Sequence, residues 1–142
     1  MEVETPNDAT KPVAFLKFEK ATIYKDARKM NACIQRVVNK MPNTFKHSTG
    51  SAISEVSILV LVNIGLAYQT KNVHTRYEYL SNLEQVILQT LMLLRTCKDL
   101  NIIPSEKYCE TVELVMSVYD QMSRWKAKTL DKKFETKTVV AQ

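Results

Sequence analysis

Glycine occurs only twice, at Gly50 and Gly65, and proline four times, with Pro6 and Pro12 both in the first twelve residues. A chain with so few helix breakers, rich in leucine, lysine and methionine, points to an all-helical protein. Cysteine is sparse and odd in number: Cys33, Cys97 and Cys109 form no C-x-x-C pair, and His47 and His74 are not spaced with them as zinc ligands would be. They read as buried free thiols of a reducing, cytoplasmic compartment. No charged-then-apolar leader opens the chain. The longest uninterrupted apolar run is Ile58–Val62, against the roughly 20 residues a membrane span requires, so no membrane partner is expected. The motifs of chemistry are missing too. There is no glycine-rich phosphate loop, no H-E-x-x-H and no G-x-S-x-G, and neither histidine follows a glutamate by three residues as a di-iron bundle demands. These absences argue against an enzyme and against a cofactor.

What is present is helical periodicity. The 142 residues suffice for one domain. Residues 1–16 carry no periodic apolar pattern and read as a flexible arm. In residues 19–41, Ile23, Ala27, Met30, Ile34, Val37 and Met41 step by three and four along one face, and Pro42 ends the run. Residues 51–69 are so dense in Ile, Val and Leu that the helix they form is expected to be central and mostly buried. Asn63 lies inside that run and is expected to bond across the core, since an unpaired buried amide costs about 1–3 kcal/mol. In residues 105–130, Tyr108, Val112, Val115, Tyr119, Met122 and Trp125 trace a face, with acids early and bases late as the helix dipole favours. Residues 131–142 read as a basic, frayed tail.

Residues 76–100 hold the densest signal. Leu80, Ile87 and Leu94 make one heptad row; Val86, Leu93 and Leu100 make another, about 100° around the axis. One row suffices for packing in a bundle, so the second is expected to meet another protomer. Glu84 and Arg95 share the apolar side of this helix about three turns apart, so each needs a partner elsewhere or a place at the rim. Four helices with short links give an antiparallel up-down-up-down four-helix bundle over residues 17–130.

The net charge of +5 is unevenly spread: residues 17–41 hold seven bases against two acids, and residues 124–137 six against two. Lys25, Lys29, Arg36 and Lys40 fall within about 60° of one another, about 150° from the apolar face. No acid offsets them, which suits an anionic partner such as nucleic acid. Arg124, Lys126 and Lys128 are taken as a second patch. Tyr77, Tyr79 and Trp125 could stack on bases, yet the sequence displays no aromatic platform with interleaved cations.

Several segments, in order, resemble a known family. Tyr79-Leu80-Ser81-Asn82-Leu83-Glu84, Leu93-Leu94-Arg95, Asp99-Leu100, Ile103, Lys107-Tyr108 and Met122-x-x-Trp125 resemble the accessory variability determinant (Avd) family of diversity-generating retroelements. Its wider relatives are the bacterial four-helix-bundle proteins encoded in ribosomal-RNA intervening sequences. To these, Phe18-Glu19-Lys20, Tyr24-Lys25-Asp26-Ala27-Arg28 and Asn63-Ile64 are similar, so the resemblance spans residues 18–129. The sequence departs at Asn63-Ile64-Gly65-Leu66-Ala67, where the wider group often has Asn-Ile-Ala-Glu-Gly, and at Ser123-Arg124, where Avd-like proteins tend to place glycine before the tryptophan. The resemblance implies a homopentamer of antiparallel bundles that binds a reverse transcriptase and RNA or cDNA. It further implies support for mutagenic copying of a template RNA without a catalytic site of its own. A structural bundle of the intervening-sequence type, with no nucleic-acid role, is the second reading.

Overall fold

The computed structural model describes the backbone of residues 17–141 and side chains through residue 135; the expected N-terminal arm lies outside these. The described residues are all helical, with no strand among them. A 3-10 turn, Lys17–Lys20, leads into α1 (Thr22–Asn39). A one-turn helix, α2 (Asn43–Lys46), follows Pro42, and then come α3 (Thr49–Gln69), α4 (Val73–Asp99) and α5 (Ser105–Ala141). α3 packs on α1 and α4, and α5 packs on α1 and α4.

Cross-helix bonds report the direction of packing. Asn31 donates to Ser57 (2.7 Å) and Ser54 donates to Gln35 (2.9 Å), so rising numbers on α1 meet falling numbers on α3. Gln121 donates to Asp26 (2.7 Å), while Cys33 Sγ meets Thr111 Oγ1 at 3.3 Å, and α1 and α5 show the same opposition. Glu84 with Lys126, and Lys98 over Tyr108, repeat it for α4 and α5.

The core follows the periodicity. Ile23, Ala27, Met30, Ile34 and Met41 are buried from the first face, and Leu80, Ile87 and Leu94 from the third predicted helix. On α5 the buried line is Thr111, Val115, Val118, Met122 and Thr129, turned by about 40° from the aromatic face expected. Two threonines fit because each hydroxyl donates to the carbonyl four residues back, Thr111 to Lys107 (2.7 Å) and Thr129 to Trp125 (2.9 Å), leaving no orphan donor.

α3 departs most from expectation. Of its apolar side chains only Ile53, Val60, Ile64 and Ala67 are buried, while Ile58, Leu59, Val62 and Leu66 are each 41–46% exposed. The helix is two-sided rather than central. Asn63 does not bond across the core: its amide donates to Leu59 O of its own helix (2.9 Å). Taken whole, α3 has the length and composition of a membrane span, because Glu55 is its only charge; counting uninterrupted apolar runs missed this.

Helix ends also moved. α4 begins at Val73, three residues early, because Asn72 caps it by accepting from Thr75 N (3.0 Å). α4 ends at Asp99 and is closed by Asn101, two residues on, whose φ of 59° allows Ile102 N to reach Cys97 O (3.0 Å), the left-handed close that asparagine tolerates. α5 does not stop near residue 130 but runs to Ala141, so residues 131–141 continue the helix in place of a frayed tail. Buried thiols account for Cys33 and Cys97, whereas Cys109 is exposed; burial pushes the Cys97 thiol up and holds it protonated.

Gly50 sits in the first turn of α3, close against Val38 of α1, Met41 and Phe45 of α2. A Cβ there would stand 3.1 Å from Val38 Cγ1 and 3.2 Å from both Met41 Sδ and Phe45 O. The last is backbone and yields little. Gly50→Ala gains helix propensity of up to about 1 kcal/mol, but the overlap costs about 1–3 kcal/mol. We expect a net fall in Tm of a few degrees by thermal denaturation; a variant that melts higher than the parent would show that the contact relaxes freely.

Candidate nucleic-acid interface

The stripe on α1 forms as its spacing requires. Residues 25, 29, 36 and 40 recur at the helical repeat on the side away from Ile23, Met30 and Ile34. Lys25, Lys29, Arg36 and Lys40 are all exposed, as is Arg28 beside them. None of the four is in an ion pair among the described residues. Four uncompensated cations along one helix give a positive surface over about four turns.

At the C-terminal end of α1 the stripe meets a cleft of about 260 Å³. Arg36 and Lys40 line it with Lys107, around Cys33, Val37, Ile102 and Pro104. Lys107 comes from the opposite end of the α4–α5 link, a juxtaposition that only folding produces. Its ammonium is 3.1 Å from Glu110, an exposed pair worth little and easily exchanged.

The second patch does not hold together as three residues. Helical residues two apart lie about 200° around the axis, so Lys126 cannot share a face with both Arg124 and Lys128. Lys126 instead points to α4, where its ammonium is 2.6 Å from Glu84 and 5.3 Å from the centre of the Tyr77 ring. Lys133 covers the same ring at 4.7 Å. Lys126 is thus committed within the fold, and Tyr77 is faced by cations rather than free to stack. Glu84 has found the partner its apolar setting demanded. Arg95 pairs along its own helix with Asp99 (3.2 Å), whose hydrogen bond raises the guanidinium above its ordinary value.

Arg124 and Lys128 remain exposed and border a cleft of about 310 Å³ with Ile23, Tyr68, Gln121 and Trp125. The Tyr68 and Trp125 rings meet edge to face, centroids 6.1 Å apart. Sequence reasoning singled out Trp125 but missed Tyr68, Arg76 and Lys107. Tyr68 is at the end of α3, far along the chain from the cations it joins, and no spacing rule connects them.

Of the residues expected at an oligomer contact, Val86 and Leu93 are half-buried and Leu100 is exposed. The wheel places all three on the side of α4 that turns toward α3; the larger exposed row of α3, Ile58, Leu59, Val62 and Leu66, is on its outer face, where Ile58, Val62 and Leu66 share a groove with Phe18 and Tyr24. Met92, 62% exposed, lies on the outer side of α4.

No protein-family model and no curated protein matches this chain.

Proposed function

We propose that the chain is a non-enzymatic accessory protein of a diversity-generating retroelement, binding the reverse transcriptase and template RNA or its cDNA in the cytoplasm. The observation that carries this reading is the exposed α1 stripe of Lys25, Lys29, Arg36 and Lys40, uncompensated among the described residues. The order and spacing of the Avd-like segments support the retroelement context. In this reading α1, α3, α4 and α5 make an antiparallel up-down-up-down four-helix bundle, a topology favoured by the opposed cross-helix bonds. The bundles assemble into a homopentamer through the apolar rows on α3 and α4.

The mechanism is positional. Phosphates need only fixed positive charge, so the stripe holds the nucleic-acid backbone with little regard to sequence. Assembly multiplies the stripe and raises the effective concentration of template at the polymerase. The chemistry of polymerisation belongs to the reverse transcriptase.

Reconstitution tests this. The chain, the reverse transcriptase encoded nearest to it and the template RNA are combined, and cDNA is quantified. We expect cDNA to depend on the chain, and RNA retention by the chain alone to fall steeply with salt. Equal cDNA with and without it, together with RNA binding that vanishes at physiological salt, would leave a structural bundle with no nucleic-acid role.

A further inference from the structure

The cleft at Tyr68 and Trp125 has a chemistry that the α1 stripe lacks. Tyr68 lies in the last turn of α3 and is 44% exposed. Its ring stands at 67° to that of Trp125, so the pair offers two aromatic surfaces at an angle. Arg124 and Lys128 line the same cleft. A smaller recess of about 230 Å³ runs from the two rings to Arg76. Arg76 is fixed: Nε donates to Ala67 O (3.1 Å) and Nη2 to Thr70 O (2.7 Å). Those bonds satisfy carbonyls at the C-terminus of α3 and leave further guanidinium donors for a ligand. Among the described residues no carboxylate lines either space. Asp26 accepts from Nε2 of Gln121, whose side chain lines the cleft, but is not itself among the lining residues.

Aromatic surface edged by three cations matches what one unpaired nucleotide presents: a flat base and a phosphate on each side. Double-stranded nucleic acid keeps its bases stacked inside and offers only the phosphates. We propose that this cleft binds an unpaired nucleotide of a single strand, with the base against Tyr68 and Trp125 and the flanking phosphates on Arg124, Lys128 and Arg76. The inference rests on the nucleic-acid reading above and adds strand selectivity to it. The α1 stripe supplies contacts blind to strandedness, and this cleft supplies the preference for single strands.

Trp125 is the chain's sole tryptophan, so its fluorescence reports the site without labelling. The full chain is titrated with a short oligouridine strand, with a duplex of equal length and with an oligoglutamate peptide. We expect the single strand to quench Trp125 and the duplex to bind with little quenching. Tyr68→Ala should weaken the single strand about tenfold and leave duplex affinity unchanged, while Tyr68→Phe restores binding. Arg124→Ala, at an exposed site, gives a second variant independent of the rings. Two results overturn the proposal: equal affinity for both RNAs with no effect of Tyr68→Ala, or quenching by oligoglutamate as strong as by RNA, which would assign the cleft to acidic peptides. Either leaves the α1 stripe intact. Failure of the parent chain to bind any RNA would instead remove the nucleic-acid reading itself.

Discussion

The double variant Lys29→Glu/Arg36→Glu will lose RNA affinity by on the order of 100-fold while keeping its helical content. Both side chains are exposed and outside any ion pair among the described residues, so reversing them costs the fold little. It even relieves a few tenths of a kcal/mol of like-charge repulsion along α1. A charged contact to a phosphate is worth about 1.5–3 kcal/mol. Losing two at the lower end gives about 3 kcal/mol, or about two decades in Kd. A second readout separates this from general charge effects: the slope of log K against log salt should flatten by about 0.7 per lost contact on a single strand. As a control, Lys126→Gln should leave the slope unchanged, because that ammonium is held by Glu84 and Tyr77. If Lys29→Glu/Arg36→Glu binds RNA as the parent does, the stripe is not the phosphate surface.

That contrast shows what a linear sequence discloses and what it hides. The α1 stripe was legible because its cations recur at the helical repeat with no acid among them. Lys126 was misplaced because three bases at alternate positions look like a cluster on paper, yet 200° steps separate neighbours on a helix. The core was legible where apolar residues alternate with polar ones, as in α1 and along Leu80, Ile87 and Leu94. It was not in α3, where apolar residues fill the helix all round and periodicity cannot say which face is turned inward. Thr111 and Thr129 escaped the core assignment because a threonine counts as polar until its hydroxyl has returned to the backbone. The Tyr68–Trp125 cleft was beyond reach for a different reason. Its parts come from α1, α3, α4 and α5, and contact between distant segments exists only after folding.

The same ambiguity in α3 leads to the other large expected effect, on assembly. Ile58, Leu59, Val62 and Leu66 leave somewhat under half of their surface exposed. Full burial of such a side chain is worth about 1.5–3 kcal/mol, so covering this row supplies about 3–5 kcal/mol per copy. Association costs about 4–15 kcal/mol, and the row alone does not clear that range. For the proposed assembly to be stable, Val86, Leu93 and Leu100 of α4 have to contribute, as the second heptad row suggested, and in a closed ring every contact joins two such faces. A seam this close to balance is easily undone. We expect the parent chain to sediment at several times 16.3 kDa, and Leu59→Glu/Val62→Glu to sediment as a monomer with unchanged circular dichroism. The glutamates sit in water on the isolated protomer and cost it little, but in the assembly each must be desolvated, at several kcal/mol. Leu93→Glu with Leu100→Glu should give the same result if both rows share the seam. A parent chain that sediments as a monomer would contradict the assembly outright. If instead only the α4 variant dissociates, the seam belongs to α4 alone and the α3 row is left for the reverse transcriptase.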